Sequence, residues 1–466
     1  MVEWTQDLLE LFDARASFGE RELSEVAGDL SPVRQMRFLS GEPLALPSAA
    51  VRAGTPEDVQ ALMRFAGARG LHVVVRGGGS GVVGGVEAGR EDIVLDMGGL
   101  DAIGPLDPAG GLVTAQAGCL LGRLEERLAA EGLTLGHYPQ SIALASLGGL
   151  VATRSSGQYS TRYGHIEQMI AGIEVVTAGG ERLRLGRAPR RSLGPEVWPL
   201  FVGAEGTLGV VTSVTLIAWP RPEAEVLRSY AFPSFTAGIE AMRRLTRAGL
   251  PLGAVRLYDR DDALHGFAEL LPQTGPDALL LLSSLGAAEV AAGGAAAADR
   301  ISTACGATVL GEEIARHWLA TRNDVSAWGR YLAAGVLVDT IECGAVWPEL
   351  AAVYDAAIRA ARGVPEVVAA FGHAAHAEAS GASLYFTVGA VPLPGADAGD
   401  LQRRIWDALL GAAAAAGASV GHHHGVGRLR KDWTWRERRE EIGLLKSLRS
   451  VMDPGRILNP GVLWPD

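Results

Sequence analysis

The sequence predicts an α+β protein made of two domains. The chain has 466 residues, and single hydrophobic cores stop growing beyond roughly 250–300 residues. Segments with the patterns of strands and of helices alternate along the chain, which is typical of sheets covered by helices. The proline-rich step Trp219–Pro222 separates a glycine-rich first part from a second part with longer helices. We therefore place a domain boundary after residue 222.

Composition excludes several classes of protein. Hydrophobic residues make up 48% and charged residues 20%, so the chain can bury a core and is not disordered. The net charge of -11 argues against non-specific binding of nucleic acid or an anionic membrane. No apolar run reaches the roughly 18 residues of a transmembrane helix, and the N-terminus lacks a signal-peptide pattern. We expect a soluble, cytoplasmic protein, and the abundant alanine and arginine are typical of a GC-rich bacterial genome.

The first part begins with a helix and an irregular segment that ends near residue 50. A clearly marked helix follows, with Thr55 as its N-cap, Pro56 in its first turn and an apolar face over Val59–Ala66. Gly70 ends this helix, and Leu71–Val75 has the composition of a buried strand. Further strands are predicted at Ile93–Leu95, Leu112–Ala117, Gly172–Thr177, Arg182–Leu185 and Leu208–Ala218, with a helix at Leu120–Glu131.

The second part alternates longer helices and strands. This alternation predicts an α+β domain whose sheet is covered on one side. The tail from Asp432 onward reads as a charged helix followed by turns. The predicted helices are Ser234–Ala248, Ala287–Ala304, Pro348–Ala361 and Asp400–Ala416. The predicted strands are Gly253–Leu257, Ala278–Ser283, Leu337–Glu342 and Ser383–Val388.

A glycine-rich loop, Arg76–Gly85, directly follows the strand Leu71–Val75. It contains a formal G-x-G-x-x-G, but the glycines continue where a dinucleotide-binding loop would open a helix. We therefore reject a Rossmann loop. Two interpretations remain open for the loop alone: a concavity of backbone N–H groups that suits an anion such as pyrophosphate, or a simple hairpin turn.

Two more clusters of small residues, Pro139–Gly157 and Gly203–Val211, decide between these interpretations. Together, the three blocks resemble the FAD-binding domain of the vanillyl-alcohol oxidase (PCMH-type) flavoprotein family. The resemblance implies that the first loop holds the pyrophosphate, the second follows the isoalloxazine and ribityl chain, and the third closes over the adenine side. It implies these cofactor-binding residues: Arg76, Gly77, Gly78, Gly79, Ser80, Gly81, Val82, Pro139, Ser141, Gly148, Gly149, Thr153, Ser156, Gly157, Glu205, Gly209, Val210 and Val211.

The attachment of the flavin is predicted from Ser80. Many members of the family tether FAD through a histidine just after these glycines, and a serine hydroxyl cannot form that bond. Cys119 lies where no tether is known and is interpreted as a small buried hydrophobic residue. We therefore expect FAD to be held non-covalently.

Three consecutive histidines, His422, His423 and His424, stand between glycines and before the basic residues Arg428–Lys431. A purification tag is excluded because the run is internal. A metal site is disfavoured because consecutive side chains alternate in direction, and no carboxylate or cysteine is suitably spaced. We predict no metal. The cluster suits an anionic group or proton transfer, the alternative being a solvated basic loop.

The segment around these histidines is similar to that of the alkyldihydroxyacetonephosphate synthase family. Matching stretches occur at Gly136–Ser141, Thr153–Gly157, Val255–Leu257, Asp339–Glu342 and Ser380–Phe386. The resemblance implies a redox-neutral exchange at flavin N5 of a phosphorylated substrate. It assigns Tyr385 to proton transfer, Arg256 to the substrate phosphate, and His422, His423 and His424 to the site near N5. The plainer interpretations are a core aromatic for Tyr385, a surface ion pair for Arg256 and a supporting role for His137.

The resemblance also implies that residues 1–222 and 426–466 form the FAD domain and residues 223–425 a cap domain. One alternative is an FAD-dependent oxidase or dehydrogenase of a 2-hydroxy acid, ranked second because His373 and His376 do not obviously supply the metal-binding spacing typical of such sites. Another is a flavin-binding protein without activity. We expect a small anionic substrate, and the sequence leaves a homodimer open.

Overall fold

The computed structural model describes residues 4–107, 109–186, 189–272 and 275–465. Its strands are β1 (Ala16–Ser17), β2 (Ala49–Arg52), β3 (His72–Arg76), β4 (Asp92–Asp96), β5 (Ile103–Asp107), β6 (Leu112–Gln116), β7 (Leu133–Thr134), β8 (Ile170–Val176), β9 (Arg182–Gly186), β10 (Val210–Ile217), β11 (Trp219–Pro220), β12 (Ala224–Phe232), β13 (Leu252–Asp259), β14 (Ala278–Gly286), β15 (Thr308–Gly311), β16 (Leu337–Val346), β17 (Val367–Ala375) and β18 (Gly381–Ala390).

The helices occupy both parts of the chain. They are α1 (Thr5–Phe12), α2 (Glu20–Val26), α3 (Pro32–Leu39), α4 (Pro56–Arg69), α5 (Leu121–Ala129), α6 (Leu147–Thr153), α7 (Ser160–Tyr163), α8 (Ile166–Met169), α9 (Phe235–Arg247), α10 (Arg260–Phe267), α11 (Ala288–Ala304), α12 (Glu313–Thr321), α13 (Ser326–Ala333), α14 (Leu350–Arg362), α15 (Ala398–Ala415), α16 (Lys431–Glu437) and α17 (Ile442–Met452).

The first part of the chain forms two main sheets. One has the order β1-β2-β4-β3, with β2 and β3 parallel to the central β4. The other is antiparallel, with the order β5-β6-β10-β8-β9. Helix α4 begins as its sequence predicts, because the Thr55 hydroxyl accepts from the Asp58 N–H and the Asp58 carboxylate accepts from the Thr55 N–H. The segment predicted to be irregular contains two more helices, α2 and α3.

The C-terminal tail packs into the core of the first part. Leu458 and Trp464 belong to the same buried cluster as Leu8, Leu62 and Val214. The isolated pairing of Leu458 with Val73 continues the first sheet. The tail therefore returns to the part of the molecule where the chain begins.

The second part is built on one seven-stranded sheet, with the order β15-β12-β14-β13-β17-β18-β16. Alternate residues of β14 enter different clusters: Leu280 and Leu282 pack with helices α9 and α14, whereas Leu279 and Leu281 pack with α10 and α12. The expectation of a sheet covered on one side was thus incomplete, because α10 and α12 cover part of the opposite face. Strands β12, β15 and β17 were not predicted.

Candidate active site

One cavity of about 780 Å³ runs between the glycine loop and the seven-stranded sheet. Its walls include most of the residues predicted to bind the cofactor: Gly77, Gly78, Gly79, Ser80, Gly81, Val82, Pro139, Ser141, Gly148, Gly149, Thr153, Ser156, Glu205, Gly209, Val210 and Val211. The three blocks of small residues, separate in sequence, therefore border a single space.

The glycine loop has the conformation that its composition predicts. After β3 the backbone forms turns rather than a helix, and Gly79 has a φ of +66°, which favours glycine. The Gly78 N–H donates to the Ser146 hydroxyl at 3.2 Å, which fixes this loop against the start of α6. The result is a cradle of backbone with almost no side chains, suited to a long ligand that carries phosphates.

Arg76 and Gly157 are the two predicted cofactor-binding residues that do not border the cavity, and their role toward the cofactor remains a prediction. The Arg76 guanidinium turns beneath the loop and donates to the Gly77 carbonyl at 3.3 Å. Burial lowers its pKa, and the nearby Asp96 carboxylate opposes that shift. At Gly157 a Cβ would lie 2.6 Å from the Tyr138 nitrogen, so glycine is required there by a close crossing of two chain segments.

Glu205 borders the cavity, but its carboxylate is engaged by the segment that follows the histidines. It accepts from the Val426 N–H at 2.6 Å and from the Gly427 N–H at 2.9 Å. Burial raises its pKa to about 7, while these two N–H groups act in the opposite direction. Glu205 thus fixes one end of the histidine loop, which we define as residues 421–427.

Glu342, on β16, fixes the other end of the histidine loop. Its carboxylate accepts from the backbone N–H groups of His422, His423 and His424 at 2.5, 3.3 and 2.9 Å. It also accepts from Arg430 Nη1 at 2.6 Å, and both side chains are almost completely buried. Burial alone would raise the pKa of Glu342, but Arg430 and the histidines bring it below its ordinary value.

The basic residues after the histidines do not offer their charges to the cavity. Arg430 is neutralised by Glu342, and Arg428 donates to the carbonyls of Glu87 and Pro460 at 3.0 and 2.9 Å. The expectation that these arginines help the histidines to meet an anion is therefore wrong. They hold the loop in place instead.

The three imidazole rings lie against one another, with the Nδ1 atoms of His422 and His423 3.1 Å apart. His423 and His424 border the cavity, with ring centres 6.1 and 5.4 Å from that of Tyr385. His422 is not among the residues that border it, so its assignment to the site near N5 remains a prediction. Its ring instead packs against His165, with the centres 5.5 Å apart.

The protonation of this cluster follows from its burial. Desolvation lowers the pKa of His424 to about 4 and that of His423 well below its ordinary value. Desolvation also raises the pKa of Tyr385 to about 12, although a hydrogen bond with Thr340 acts in the opposite direction. At neutral pH the cavity therefore presents neutral imidazoles and a protonated phenol.

Arg256, on β13, is the cation that faces this phenol. Its Nη2 donates to His373 Nε2 at 2.6 Å, and its Nε donates to the Tyr258 hydroxyl at 2.9 Å. His373 Nδ1 lies 2.8 Å from an Asp262 carboxylate oxygen, and its ring stacks on Tyr385 with the centres 4.9 Å apart. These contacts fix the His373 tautomer, with the proton on Nδ1 toward Asp262, and place Arg256 at the same end of the cavity as Tyr385.

Sequence reasoning missed Asp262 and Tyr258 and gave His373 no role. Asp262 follows directly in the helix after β13, and the alternation of β13 puts Tyr258 on the same face as Arg256. The two-residue spacing within the strand could have indicated that Tyr258 lies beside Arg256. His137 lies behind Ser155, which borders the cavity, at 3.3 Å from its hydroxyl, and burial lowers its pKa to about 3.

Cys119 is buried, and burial raises the pKa of its thiol to about 11, as its interpretation as a small hydrophobic residue requires.

Among the helices that the structure describes, none combines the length and the apolar composition that a membrane span needs.

The fold and the cavity define a two-domain FAD flavoprotein of the PCMH type. Residues 47–186 match the FAD binding domain, and residues 221–463 match the C-terminal domain of FAD linked oxidases. The chain belongs to this family of FAD-linked oxidoreductases, and FAD is its cofactor. The predicted fold class and the predicted cofactor are thereby confirmed. The backbone cradle between the three blocks fits this cofactor, since glycines and other small residues such as Ser80 make up much of its lining.

Relatives with different activities match over nearly the whole chain. The FAD-linked oxidoreductase YgcU of Escherichia coli is 30% identical over 91% of this chain and 90% of its own length. Alkyldihydroxyacetonephosphate synthase of Caenorhabditis elegans is 28% identical over 88% of this chain and 75% of its own. D-2-hydroxyglutarate dehydrogenase of Xanthomonas citri is 29% identical over 90% and 89%, respectively.

A solved structure of alkyldihydroxyacetonephosphate synthase superposes with a TM-score of 0.81 and 22% identity, covering 98% of this chain and 84% of the other. This likeness supports the fold. The predicted resemblance to this enzyme within the family is confirmed, whereas the reaction remains to be argued from the site.

Proposed function

We propose that this flavoenzyme acts on a small anionic substrate, phosphorylated or carboxylated, in a reaction resembling that of alkyldihydroxyacetonephosphate synthase. Tyr385 transfers the proton, and Arg256 receives the anionic group. When bound, FAD supplies the reactive N5 position and its capacity to exchange electrons. We further propose that residues 1–222 and 426–466 form the FAD domain, with residues 223–425 as the cap.

The observation that carries the proposal is the position of Arg256 beside Tyr385 in the flavin cavity. His373 contacts both, through the Arg256 guanidinium at 2.6 Å and the stacked Tyr385 ring at 4.9 Å. The arginine therefore lies one ring away from the phenol. A substrate that reacts at the phenol and carries an anion a few bonds away would satisfy both groups.

Arg256 suits a phosphate or carboxylate for a physical reason. His423 and His424 are neutral at pH 7, so they add no positive charge to that of the Arg256 guanidinium. Charge-assisted hydrogen bonds to an anion contribute about 1.5–3 kcal/mol each. The imidazoles add N–H donors without a second positive charge.

Tyr385 begins the reaction as an acid. Its pKa of about 12 keeps the proton on the phenol at neutral pH, so it can donate to a leaving or developing oxygen. To act as a base it must first lose that proton to a neighbour. The lowered pKa values of His423 and His424 make these neighbouring imidazoles weak acceptors for that proton, so the site favours Tyr385 as the acid.

A second candidate, a dehydrogenase or oxidase of a 2-hydroxy acid, is favoured by the same neutral imidazoles. Oxidation of an alcohol requires a base for the hydroxyl proton, and His423 and His424 are unprotonated where that proton would leave. Arg256 would then meet the carboxylate of the hydroxy acid. The similarity to D-2-hydroxyglutarate dehydrogenase also supports this alternative.

Anaerobic mixing of the purified holoenzyme with candidate substrates separates the two functions. Acyl ketone phosphates with a fatty alcohol are tested beside 2-hydroxy acids, with flavin absorbance and products recorded. For the exchange reaction we expect a transient absorbance change without net reduction, and replacement of the acyl group by the alcohol. Stable bleaching by a hydroxy acid would instead establish the dehydrogenase. No response to any anionic compound would contradict both.

A further inference from the structure

A second group of imidazoles lies behind the active site, where the two parts of the chain meet. His165 precedes α8 of the first part, Glu378 lies in the turn between β17 and β18, and His422 turns away from the cavity to join them. One ligand atom from each of these residues can be chosen so that all lie within 4.8 Å of one another. His165 Nε2 and a Glu378 carboxylate oxygen are 2.8 Å apart. A carboxylate thus lies beside one of the three consecutive histidines, although no spacing in the sequence indicates it.

We propose that His165, Glu378 and His422 form a binding site for a divalent transition-metal ion, with Zn²⁺ as its probe. Two imidazoles and one carboxylate are a donor set that suits zinc and its neighbours, whereas Mg²⁺ and Ca²⁺ prefer oxygen ligands. With three protein ligands, water fills the fourth position of a tetrahedral ion. This proposal does not depend on the substrate proposed above.

Each ligand is held by contacts outside the group. His165 Nδ1 lies 2.6 Å from the Ser156 hydroxyl, which orients the ring and leaves Nε2 directed at Glu378. The Glu378 N–H donates to the Gly381 carbonyl at 2.8 Å. The His422 N–H donates to Glu342 at 2.5 Å. Hydrogen bonding of the second ring nitrogen is the support that metal-bound histidines usually have.

The surroundings allow an ion to reach the site, and a bound ion would link two parts of the chain. The Glu378 side chain is 50% exposed, whereas His165 is only 11% exposed, so one side opens to solvent and the other is enclosed. Ligand atoms around zinc lie about 3.3 Å apart, given Zn–N distances of about 2.0–2.1 Å. The ligand atoms, which lie within 4.8 Å of one another, must therefore move by up to about 1.5 Å to reach this spacing. The ion would then join segments of both parts of the chain.

Metal stoichiometry and thermal stability test the site without reference to turnover. The holoenzyme is stripped with EDTA, dialysed against Zn²⁺ or Co²⁺, and analysed by elemental mass spectrometry. We expect one Zn²⁺ per chain, a visible Co²⁺ spectrum typical of tetrahedral coordination, and a higher Tm with Zn²⁺ than after EDTA. Excess Mg²⁺ should not displace the ion. Absence of stoichiometric zinc in the wild-type protein would overturn the proposal.

The variants Glu378→Gln and His165→Asn remove one ligand each, and each should weaken Zn²⁺ binding at least tenfold. The matched controls are Glu167→Gln, which alters an acid paired with Arg154 at 2.8 Å, and His72→Asn, which alters an exposed histidine 3.5 Å from Asp92. Both controls should retain the ion. Unchanged flavin content in every variant shows that the fold has survived. Binding that survives Glu378→Gln and His165→Asn would place the ion elsewhere and contradict the assignment.

Discussion

The two ends of the cavity are built by different means. At the cofactor end, the walls are backbone and small residues of the first part, such as Gly77–Gly81 and Gly148–Gly149. At the substrate end, they include large polar side chains such as Arg256, Tyr385 and His424, beside aromatic ones such as Trp318. The first end offers hydrogen-bond donors that every residue possesses, whereas the second offers donors, acceptors and a charge specific to a few residues. The cofactor end can therefore serve many reactions, and the substrate end selects among them.

The two ends also depend differently on buried charge. The backbone cradle is fixed by a neutral contact from Gly78 to Ser146 and by the buried Asp29 carboxylate, which accepts from the Gly85 N–H at 2.9 Å and has no cationic partner among these contacts. The histidine loop is fixed by two buried carboxylates, and that of Glu342 is ion-paired with Arg430. Breaking a buried ion pair costs more than losing one neutral hydrogen bond. The substrate end is therefore the part of the cavity more easily damaged by a single substitution.

The largest effect is expected from Tyr385→Phe. It removes one hydroxyl from the substrate end and leaves the cofactor end intact, so the flavin spectrum should persist while turnover falls by about 10²–10⁴. Steady-state turnover on the identified substrate measures this change. Tyr354→Phe is the control, because its hydroxyl contacts Asp259 at 2.5 Å outside the cavity. Equal turnover in wild type and Tyr385→Phe would remove Tyr385 from the chemistry.

A comparison of Glu342→Gln with Glu205→Gln tests the two anchors of the histidine loop. Glu342→Gln leaves the buried Arg430 guanidinium without its counter-ion, which costs on the order of 3–5 kcal/mol of unfolding free energy. Glu205→Gln should cost less, because that carboxylate accepts from two backbone N–H groups and its pKa of about 7 shows it to be only partly charged at neutral pH. Chemical denaturation measures both. Equal losses would show that the ion pair contributes nothing special.

A smaller effect concerns pH and His137. Burial lowers its pKa from 6.5 to about 3, so between these values the unfolded chain binds the extra proton. Its contribution makes unfolding free energy rise with pH across that window, by at most about 1.4 kcal/mol per pH unit, and level off above about pH 7.5. The raised pKa values of Asp29, about 6, and Glu205, about 7, act in the opposite sense.

Because these groups act in opposite directions, the slope of unfolding free energy against pH must be compared between wild type and His137→Gln. Urea denaturation from pH 5 to 8 should give a lower slope of unfolding free energy against pH in the variant below about pH 7.5, and parallel curves above it. Curves that stay parallel over the whole range would show that His137 titrates alike in the folded and unfolded chain.

The last prediction concerns how FAD is attached, and it involves no change in stability. Ser80 borders the cavity where a tethering histidine would stand, so acid precipitation should release yellow cofactor into the supernatant. Mass spectrometry of tryptic peptides provides the check. A peptide that carries the mass of FAD would contradict non-covalent binding.

Much of the cofactor end could be predicted from sequence, because its signal is local. A glycine that is needed for a positive φ or a close approach can be recognised from the local sequence alone, as at Gly79. Arg76 and Gly157 lie in these blocks but do not border the cavity, because a residue in such a block can face either the ligand or the neighbouring chain. Only the fold shows that Gly157 is crossed by the backbone at Tyr138.

Less of the substrate end could be predicted, because its contacts join distant segments. Tyr385 and Arg256 were found through resemblance, but the link between them, His373, lies on β17. That strand was missed because its small residues, such as Ala369 and Ala370, lack the β-branched pattern that marks strands. The partners of His422 lie far away in sequence, and no spacing rule connects them.

The central claim is that Arg256 receives an anionic group beside Tyr385, and sulfate titration of the holoenzyme tests it most directly. Sulfate is added to wild type, Arg256→Met and the control Arg228→Met, whose arginine pairs with Asp299 at 3.1 Å, while flavin absorbance is recorded. We expect a saturable perturbation in wild type and the control. In Arg256→Met the Kd should rise by roughly 10–100-fold, as the loss of one charge-assisted contact implies. A perturbation of equal affinity in all proteins, or none in wild type, would contradict the claim.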